Sequence, residues 1–399
     1  MTRANKMGML DWMPMPLTWN YIENIRYPSE RAHSYQITMT CTALRNLGVN
    51  PTLIVPDRKL APPAQEDLLT SRLTPDFPIL RLPVIDALAH APLWLSRPAY
   101  LLERFTFQRA VHRFAIRHHA DIWYTRDPWM VPAFAQLGRR VVLELHDASG
   151  SKLKRLARIR RQIWKYVVIT SGLKDVLISA GVLPDDILVA PDAYDPNDFT
   201  NMDDRTAVRK NWGVPDNAIV TLYAGSFYPW KGVDLVVDAW PKTDPTAHLV
   251  MIGGPINELT RIRETVRKRS ISRVHCFNML PHTEVVRQFS GADIGLLPTS
   301  PLHVVGRSYT SPLKLFEYLA AGLPILASDV PSSREILTED IAQFFSSSES
   351  QFLSALQRME NTGWRQRASA RAKVIVQPFT WRNRTKSIVQ WLQSALTTL

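Results

Sequence analysis

Three groups of residues in this chain could act on a charged ligand rich in hydroxyls. The first is Lys231 in GSFYPWKG, where Gly225 follows directly on an apolar run and the lysine stands near the start of the next helical segment. A glycine there lets the backbone approach a ligand, and the lysine can reach a phosphate. The second is GRSYTSPLKLFEYLAAGLPILASDVPSSREIL, residues 306–337. Ser311 and Pro312 stand where an N-cap and a first helical residue belong, and Leu313, Phe316, Leu319 and Ala320 recur at helical spacing. Gly322 and Pro324 end that helix before a short apolar strand. Helix starts bind anions through free N–H groups and the helix dipole. Lys314 adds a positive charge on the first turn, and Glu317, one turn on, can accept bonds from two ribose hydroxyls. The stretch suits a nucleotide diphosphate with a sugar beyond it, and equally an ordinary helix–Gly–strand unit with a solvated glutamate. The third is His146, closing the run VVLELHD. It stands at a strand's carboxyl end, where it could serve chemistry, bind sugar hydroxyls, or be a structural histidine.

Other chemistries fit less well. The lysine spacing is not that of a P-loop, and no GxGxxG occurs, which counts against a nicotinamide enzyme. No further His or Cys stands at ligand spacing from His146, and His118-His119 falls at a helix end, so no metal site is expected. Cys41 and Cys276, the only two cysteines, are far apart, which argues against a disulfide framework and for a reducing compartment. There is no bilayer-length apolar run and no secretory signal in MTRANKMGMLDW, so a cytoplasmic protein is expected.

The elements that must position these residues alternate. A strand is predicted over residues 10–19, leading into a loop over 20–34 that contains YPSERAHS, then a helix over 33–47 and a strand over 49–55. Residues 57–98 are rich in proline around one short strand, PILRLPVI. A helix over 97–119 carries Leu101, Phe105, Ala110, Val111 and Phe114 as its apolar side, and further strand and helix units follow to residue 190. PDAYDPNDF reads as a linker, after which the alternation restarts. The fold class is therefore α/β, as two doubly wound domains, residues 1–200 and 201–379, facing each other across a cleft with ligands at the strand carboxyl ends.

The net charge of +12 implies an anionic partner. It concentrates between Arg97 and Lys165, above all in SKLKRLARIRRQIWK, residues 151–165. Leu153, Leu156, Ile159 and Ile163 make one apolar side of that segment. The pattern suits a helix on an anionic membrane, and equally a surface helix facing its own core. A nucleic-acid patch has no supporting motif.

These motifs together resemble glycosyltransferase family 4. YAGSFYPWKGVDLVVDA is similar to the family's first donor-phosphate motif, and ADIGLLPTS followed by SPLKLFEYLAAGLPILASDVPSSREIL to its second. VVLELHD matches the usual site of the active-site histidine, ILVAPDAYDPNDF the stretch before the interdomain linker, and FTWRNRTKSIVQWL the C-terminal helix that crosses back to the first domain. The resemblance implies the GT-B arrangement of two Rossmann-like domains, the first completed by residues 380–399. It also implies a retaining, metal-independent transferase of the hexosyltransferase type, with no cofactor beyond its nucleotide-sugar co-substrate. By the same resemblance Lys231 would neutralise the donor diphosphate, helped by Gly225 and Ser226. Ser311, Pro312, Leu313 and Lys314 would present the helix start, Glu317 would hold the ribose, His146 would contact the donor sugar, and Asn278, Met279 and Leu280 would grip the base. Ser29, Glu30, Arg31, His33 and Arg126 are acceptor-side candidates.

Two positions depart from the family pattern. Ser226 stands where many members have an arginine, and Tyr309 where many have the earlier of two glutamates; Lys314 and Arg307 are candidates to replace the missing cation. The expected reaction carries a sugar to a lipid-linked, polysaccharide or other glycan acceptor, as in cell-envelope polysaccharide synthesis, at the inner membrane face. A sugar-nucleotide epimerase or hydrolase, or a non-catalytic nucleotide-sugar or nucleic-acid binding protein, are the alternatives.

Overall fold

The computed structural model describes residues 17–29, 32–58 and 75–397. The first sheet contains β1 (Thr18–Ile22), β2 (Asn50–Asp57), β3 (Ile79–Pro83), β4 (Ile122–Thr125), β5 (Val141–Leu145), β6 (Lys165–Val168) and β7 (Ile187–Val189). They lie in the order β3-β2-β1-β4-β5-β6-β7, all parallel. The second contains β8 (Ile219–Ala224), β9 (Ala247–Ile252), β10 (Val274–Phe277), β11 (Ile294–Leu297), β12 (Ile325–Ser328) and β13 (Ala342–Phe345), ordered β10-β9-β8-β11-β12-β13 and also parallel.

The strand sequences explain the layering. IWYT of β4 and VVLEL of β5 are buried at every position, as strands covered by helices on both faces must be. One apolar cluster, with Phe107, Val111 and Leu143, covers one face of the first sheet, and another, with Trp19, Leu53 and Tyr124, covers the other. The second sheet is likewise held between a cluster around Leu222 and Phe316 and one around Val236 and Leu249. The strand order reverses between β1 and β4, and again between β8 and β11. Crevices open at the carboxyl ends of such switch points.

Two chain segments run side by side between the sheets. The backbone of Tyr194 exchanges hydrogen bonds with Phe379 (3.0 Å) and Trp381 (3.2 Å). The helix Trp381–Thr397 then lies against the helix Ala32–Asn46, and its Ile388, Val389 and Leu392 join the cluster around Trp19 and Leu44.

Several expectations shift. The first strand is Thr18–Ile22, later than residues 10–19, of which 10–16 lie outside the described residues. TWNYI can be buried on the sheet, whereas Pro14 and Pro16 lack the N–H a ladder needs. The helix predicted over residues 151–165 is Ser151–Ile159 with a 3₁₀ turn, Arg160–Gln162, because Lys165 already opens β6. The helix Ser96–Arg117 buries Glu103, Phe107, Val111 and Ala115, and leaves Leu101 and Phe105 facing out. Pro312, not Ser311, is the N-cap of the helix Leu313–Ala320. Arg307 lies in a short helix, Val304–Ser308.

Candidate functional site

A cleft of about 1740 Å³ opens between the carboxyl ends of the two sheets, lined by His146 and Asp192 on one side and Lys231, Lys314 and Glu317 on the other.

Its cationic end is built from two turns. The chain leaves β8 through Gly225 and turns through the 3₁₀ segment Pro229–Lys231 into Gly232. Gly232 has φ 70°, and a Cβ there would fall 1.7 Å from the Pro298 carbonyl oxygen, so only glycine fits. Lys231 Nζ sits 3.9 Å from the Trp230 ring centroid, and Lys314 Nζ 3.6 Å from that of Tyr223. A Cβ on Gly225 would lie 3.5 Å from Lys314 Nζ, which puts the second lysine at the same turn. Burial pulls the Lys231 ammonium down to about 8. Burial, then the charge of Lys231, holds Lys314 well below the ordinary lysine range. Neither ammonium has a carboxylate within ion-pair distance among the described residues. Two ammonium groups that repel each other, at a helix start with no side-chain cap, are an arrangement that can hold an anion.

The next part of the wall was not anticipated from sequence. Glu317 Oε1 is 2.7 Å from His282 Nε2. His282 Nδ1 is 3.8 Å from Asp198 Oδ2, which accepts a 3.1 Å hydrogen bond from Tyr35 Oη. The Tyr35 ring lies over His282 with centroids 4.3 Å apart. Burial by itself would lower the His282 pKa, but Glu317, then Asp198 and Asp195, hold it above the ordinary value. Tyr35 comes from the helix Ala32–Asn46 of the first sheet, His282 and Glu317 from the second sheet's helices, so this cluster spans the cleft.

His146 is held from behind. Its Nε2 is 2.6 Å from Glu144 Oε1, two residues back on β5. The same carboxylate accepts Arg384 Nη2 at 2.9 Å and the Tyr124 hydroxyl. Burial would raise the Glu144 pKa, but Arg384 and then His146 hold it well below the carboxylate range. Burial, followed by the charge of Arg126, pushes His146 down to about 3. The imidazole is therefore neutral, and with an ionised carboxylate facing Nε2, that nitrogen carries the proton. Nδ1 is left as an acceptor. Beside them Asp192 takes a 2.6 Å bond from Gln36 Nε2 and donates its backbone N–H to Ser311 Oγ at 2.9 Å. Its Oδ1 is buried without a hydrogen-bond partner, and burial raises this carboxyl to about 7.

The cleft brings together His146, Gly225, Ser226, Lys231, Asn278, Met279, Leu280, Ser311, Pro312, Leu313, Lys314 and Glu317, every donor-side residue singled out in the sequence. Tyr309 lines it too, while Arg307 is exposed elsewhere, so Lys314 alone of the two candidate cations reaches the site. Ser311 spends its hydroxyl on Asp192 rather than on capping. His33 and Arg126 line a smaller pocket of about 180 Å³ that shares His146 with the cleft, with Glu23 bonded to the Arg126 backbone N–H. Ser29 borders neither cavity and receives no support as an acceptor residue; Glu30 and Arg31 lie outside the described residues. Sequence reasoning missed Glu144, Arg384, His282, Asp198, Tyr35 and Asp192.

The family described as Glycosyltransferase Family 4 matches residues 34–198, and that described as Glycosyl transferases group 1 matches residues 218–362. Among curated proteins, the D-inositol 3-phosphate glycosyltransferase of Stackebrandtia nassauensis is 36% identical over 97 residues, 22% of each chain. That of Xylanimonas cellulosilytica is 26% identical over 178 residues, 42% of this chain and 41% of its own. That of Geodermatophilus obscurus is 23% identical over 242 residues, 55% and 52%. The chain thus spans between about a fifth and about half the length of the curated relatives it matches. Among solved structures, the sucrose-phosphate synthase of Thermosynechococcus elongatus superposes with a TM-score of 0.74 at 16% identity, covering 96% of this chain and 100% of that one. Anabaena HepE in complex with UDP and glucose superposes with a TM-score of 0.72 at 15% identity, covering 95% and 100%. At these identities the likeness is one of fold.

Proposed function

Because the chain belongs to the glycosyltransferase family that its two halves match, and folds as the two facing Rossmann-like domains of GT-B enzymes, we propose that it moves a sugar from a nucleotide-sugar donor to a glycan or lipid-linked acceptor, with retention of configuration and without a metal. The observation that carries this reading is the pair of ammonium groups, Lys231 and Lys314, beside an uncapped helix start, with no carboxylate in ion-pair distance among the described residues.

In this reading the diphosphate lies between the two lysines and the first N–H groups of the helix Leu313–Ala320. Charge that grows on the leaving phosphate is met by groups already in place, which is where most stabilisation of such a step arises. Glu317, steadied by His282, accepts the ribose hydroxyls through its other oxygen. Neutral His146 offers Nδ1 to a hydroxyl of the transferred sugar while Glu144 fixes its ring. The acceptor hydroxyl enters on the sugar's leaving-group side, and the departing phosphate oxygen takes its proton. The Anabaena protein's complexes with UDP and with UDP-glucose make uridine diphosphate sugars the first donors to try.

The test is a thermal-shift screen of UDP, GDP and ADP sugars, then transfer of labelled sugar from the best donor into membrane extract. A donor raises the melting temperature, Lys231→Ala with Lys314→Ala abolishes both the shift and transfer, and EDTA changes neither. Full transfer by the double variant would overturn the site. Release of free sugar, or of an epimerised nucleotide sugar, at the same rate with and without acceptor would replace the transferase by the hydrolase or epimerase.

A further inference from the structure

The 22-residue helix Ser96–Arg117 has a second apolar side that the fold does not use. Its inward stripe is Ala99, Glu103, Phe107, Val111 and Ala115. On the opposite side Leu101, Leu102 and Ile116 are exposed, and Phe105 is 54% exposed. Just before the helix, Trp94 is 78% exposed. Exposed Ile85 and Leu88 are held against the same helix by backbone N–H bonds to Thr106 Oγ1 (3.2 Å) and Glu103 Oε2 (3.3 Å). Single apolar residues on a surface need no explanation, but a contiguous patch does.

The rim of this patch is cationic. Arg97, Arg104, Arg109, Arg113 and Arg117 belong to the same helix, and its one carboxylate, Glu103, is buried against Arg58. The neighbouring helix Ser151–Ile159 has no carboxylate and exposes Lys154 and Arg158. The two sets of charge join at residues 128–129: Arg155 Nε is 3.5 Å from the Pro128 carbonyl oxygen, and the Arg104 guanidinium lies 5.1 Å from the Trp129 ring centroid. Arg104 and Arg109 also lie along Tyr100 and Phe105, at 5.7 and 5.6 Å from the ring centroids, with their charged ends at the edge of the apolar ridge.

An apolar ridge between rows of arginine, with no exposed acid on either helix, complements a surface that is anionic outside and hydrocarbon beneath. Nucleic acid would use the arginines but not the ridge. We propose that this face, centred on Leu101 and Phe105, docks the protein on an anionic lipid surface. Residues 151–165 supply charge to the rim rather than the ridge itself, because Leu156, Ile159 and Ile163 are buried in the core of the first sheet and Leu153 alone of their apolar side is exposed. Docking by this face does not depend on what the cleft binds.

The test is co-sedimentation of the full chain with vesicles of equal phosphatidylcholine and phosphatidylglycerol, against phosphatidylcholine alone, at low and high salt. The protein binds the anionic vesicles at low salt, and its fluorescence shifts to the blue by an amount that Trp94→Phe diminishes. Each basic residue near an anionic surface contributes roughly fivefold in affinity, so Arg97→Gln, Arg109→Gln and Arg113→Gln together weaken binding roughly a hundredfold. Leu101→Ser with Phe105→Ser removes the blue shift and leaves the melting temperature and nucleotide-induced thermal shifts as in the parent. No binding to anionic vesicles, or equal binding by the Leu101→Ser and Phe105→Ser variant, overturns the proposal. So does a self-associated protein that this variant turns into a monomer without any vesicle binding in the parent.

Discussion

Lys231 makes the sharpest residue-scale prediction. A lysine held at about 8 is charged at pH 7 and mostly neutral at pH 9, and a bound diphosphate favours the charged form and raises its pKa again. If the cleft takes a nucleoside diphosphate as proposed, its affinity is greatest below pH 8 and falls by up to about tenfold per pH unit above it. Calorimetric titrations at pH 7, 8 and 9 measure this, with proton uptake at pH 8 and a flattened profile in Lys231→Ala. His146, near 3, stays neutral from pH 5 to 9, so any acid limb in a pH–rate profile belongs to another group. His282 is the residue whose role splits by substitution. His282→Ala frees Glu317 and raises KM for the donor roughly tenfold, on the scale of a lost charged hydrogen bond. His282→Gln, which keeps a donor, restores most of it. Equal KM values for the two variants would show that the Glu317 contact is incidental.

At the scale of elements, the helix Trp381–Thr397 matters to a site it barely borders. Arg384 carries its charge to Glu144, the carboxylate behind His146, and both side chains are about 3% exposed. Arg384→Ala leaves Glu144 buried and unpaired, a loss of about 3–5 kcal/mol in chemical denaturation, because breaking a buried pair strands a charge. Arg384→Ala together with Glu144→Gln recovers much of that stability, though His146 loses its orienting carboxylate and activity stays low. The turn after β8 sets a second case. Gly232→Ala forces a Cβ into the Pro298 carbonyl at φ 70°, so the turn must move and Lys231 with it. Its donor affinity drops toward that of Lys231→Ala while the fold survives by circular dichroism.

At the scale of the whole molecule, the two sheets are fastened at several points beyond the crossing segments. Thr170 Oγ1 donates to the Ser308 carbonyl at 2.8 Å, and the Ser171 N–H donates to Glu335 at 2.9 Å. With Ser311 on Asp192 and Tyr35 on His282, these contacts are expected to couple the two halves in unfolding. Calorimetry is therefore expected to show a single unfolding transition that moves upward as a whole with the nucleotide that the thermal-shift screen selects, by about 2.7 kcal/mol at a hundredfold excess over Kd. Two transitions, of which only one moves, would show that the contacts are too weak to couple the halves. Among the described residues no helix is long and apolar enough to cross a membrane.

What the sequence determined by itself is whatever short-range chemistry specifies. The alternation of apolar runs with helical spacing dictated two parallel sheets, and the short strand expected in PILRLPVI is β3, Ile79–Pro83. Glycine next to a strand end, lysine at a helix start and a glutamate one turn along were legible as residues that would line one cleft, because strand ends, turns and helix starts are local. The tertiary structure decided what depends on distant partners. Glu144 reads as one acidic residue in an apolar strand until Arg384, 240 positions away, arrives to pair with it. His282 and Tyr35 carry no local signal, since their meeting depends on how two sheets face each other. Helical spacing could not orient the helix Ser96–Arg117 either. Apolar residues occupy both of its sides, so periodicity gives no direction, and only packing against the sheet showed that Phe107 and Val111 turn inward while Leu101 and Phe105 remain outside.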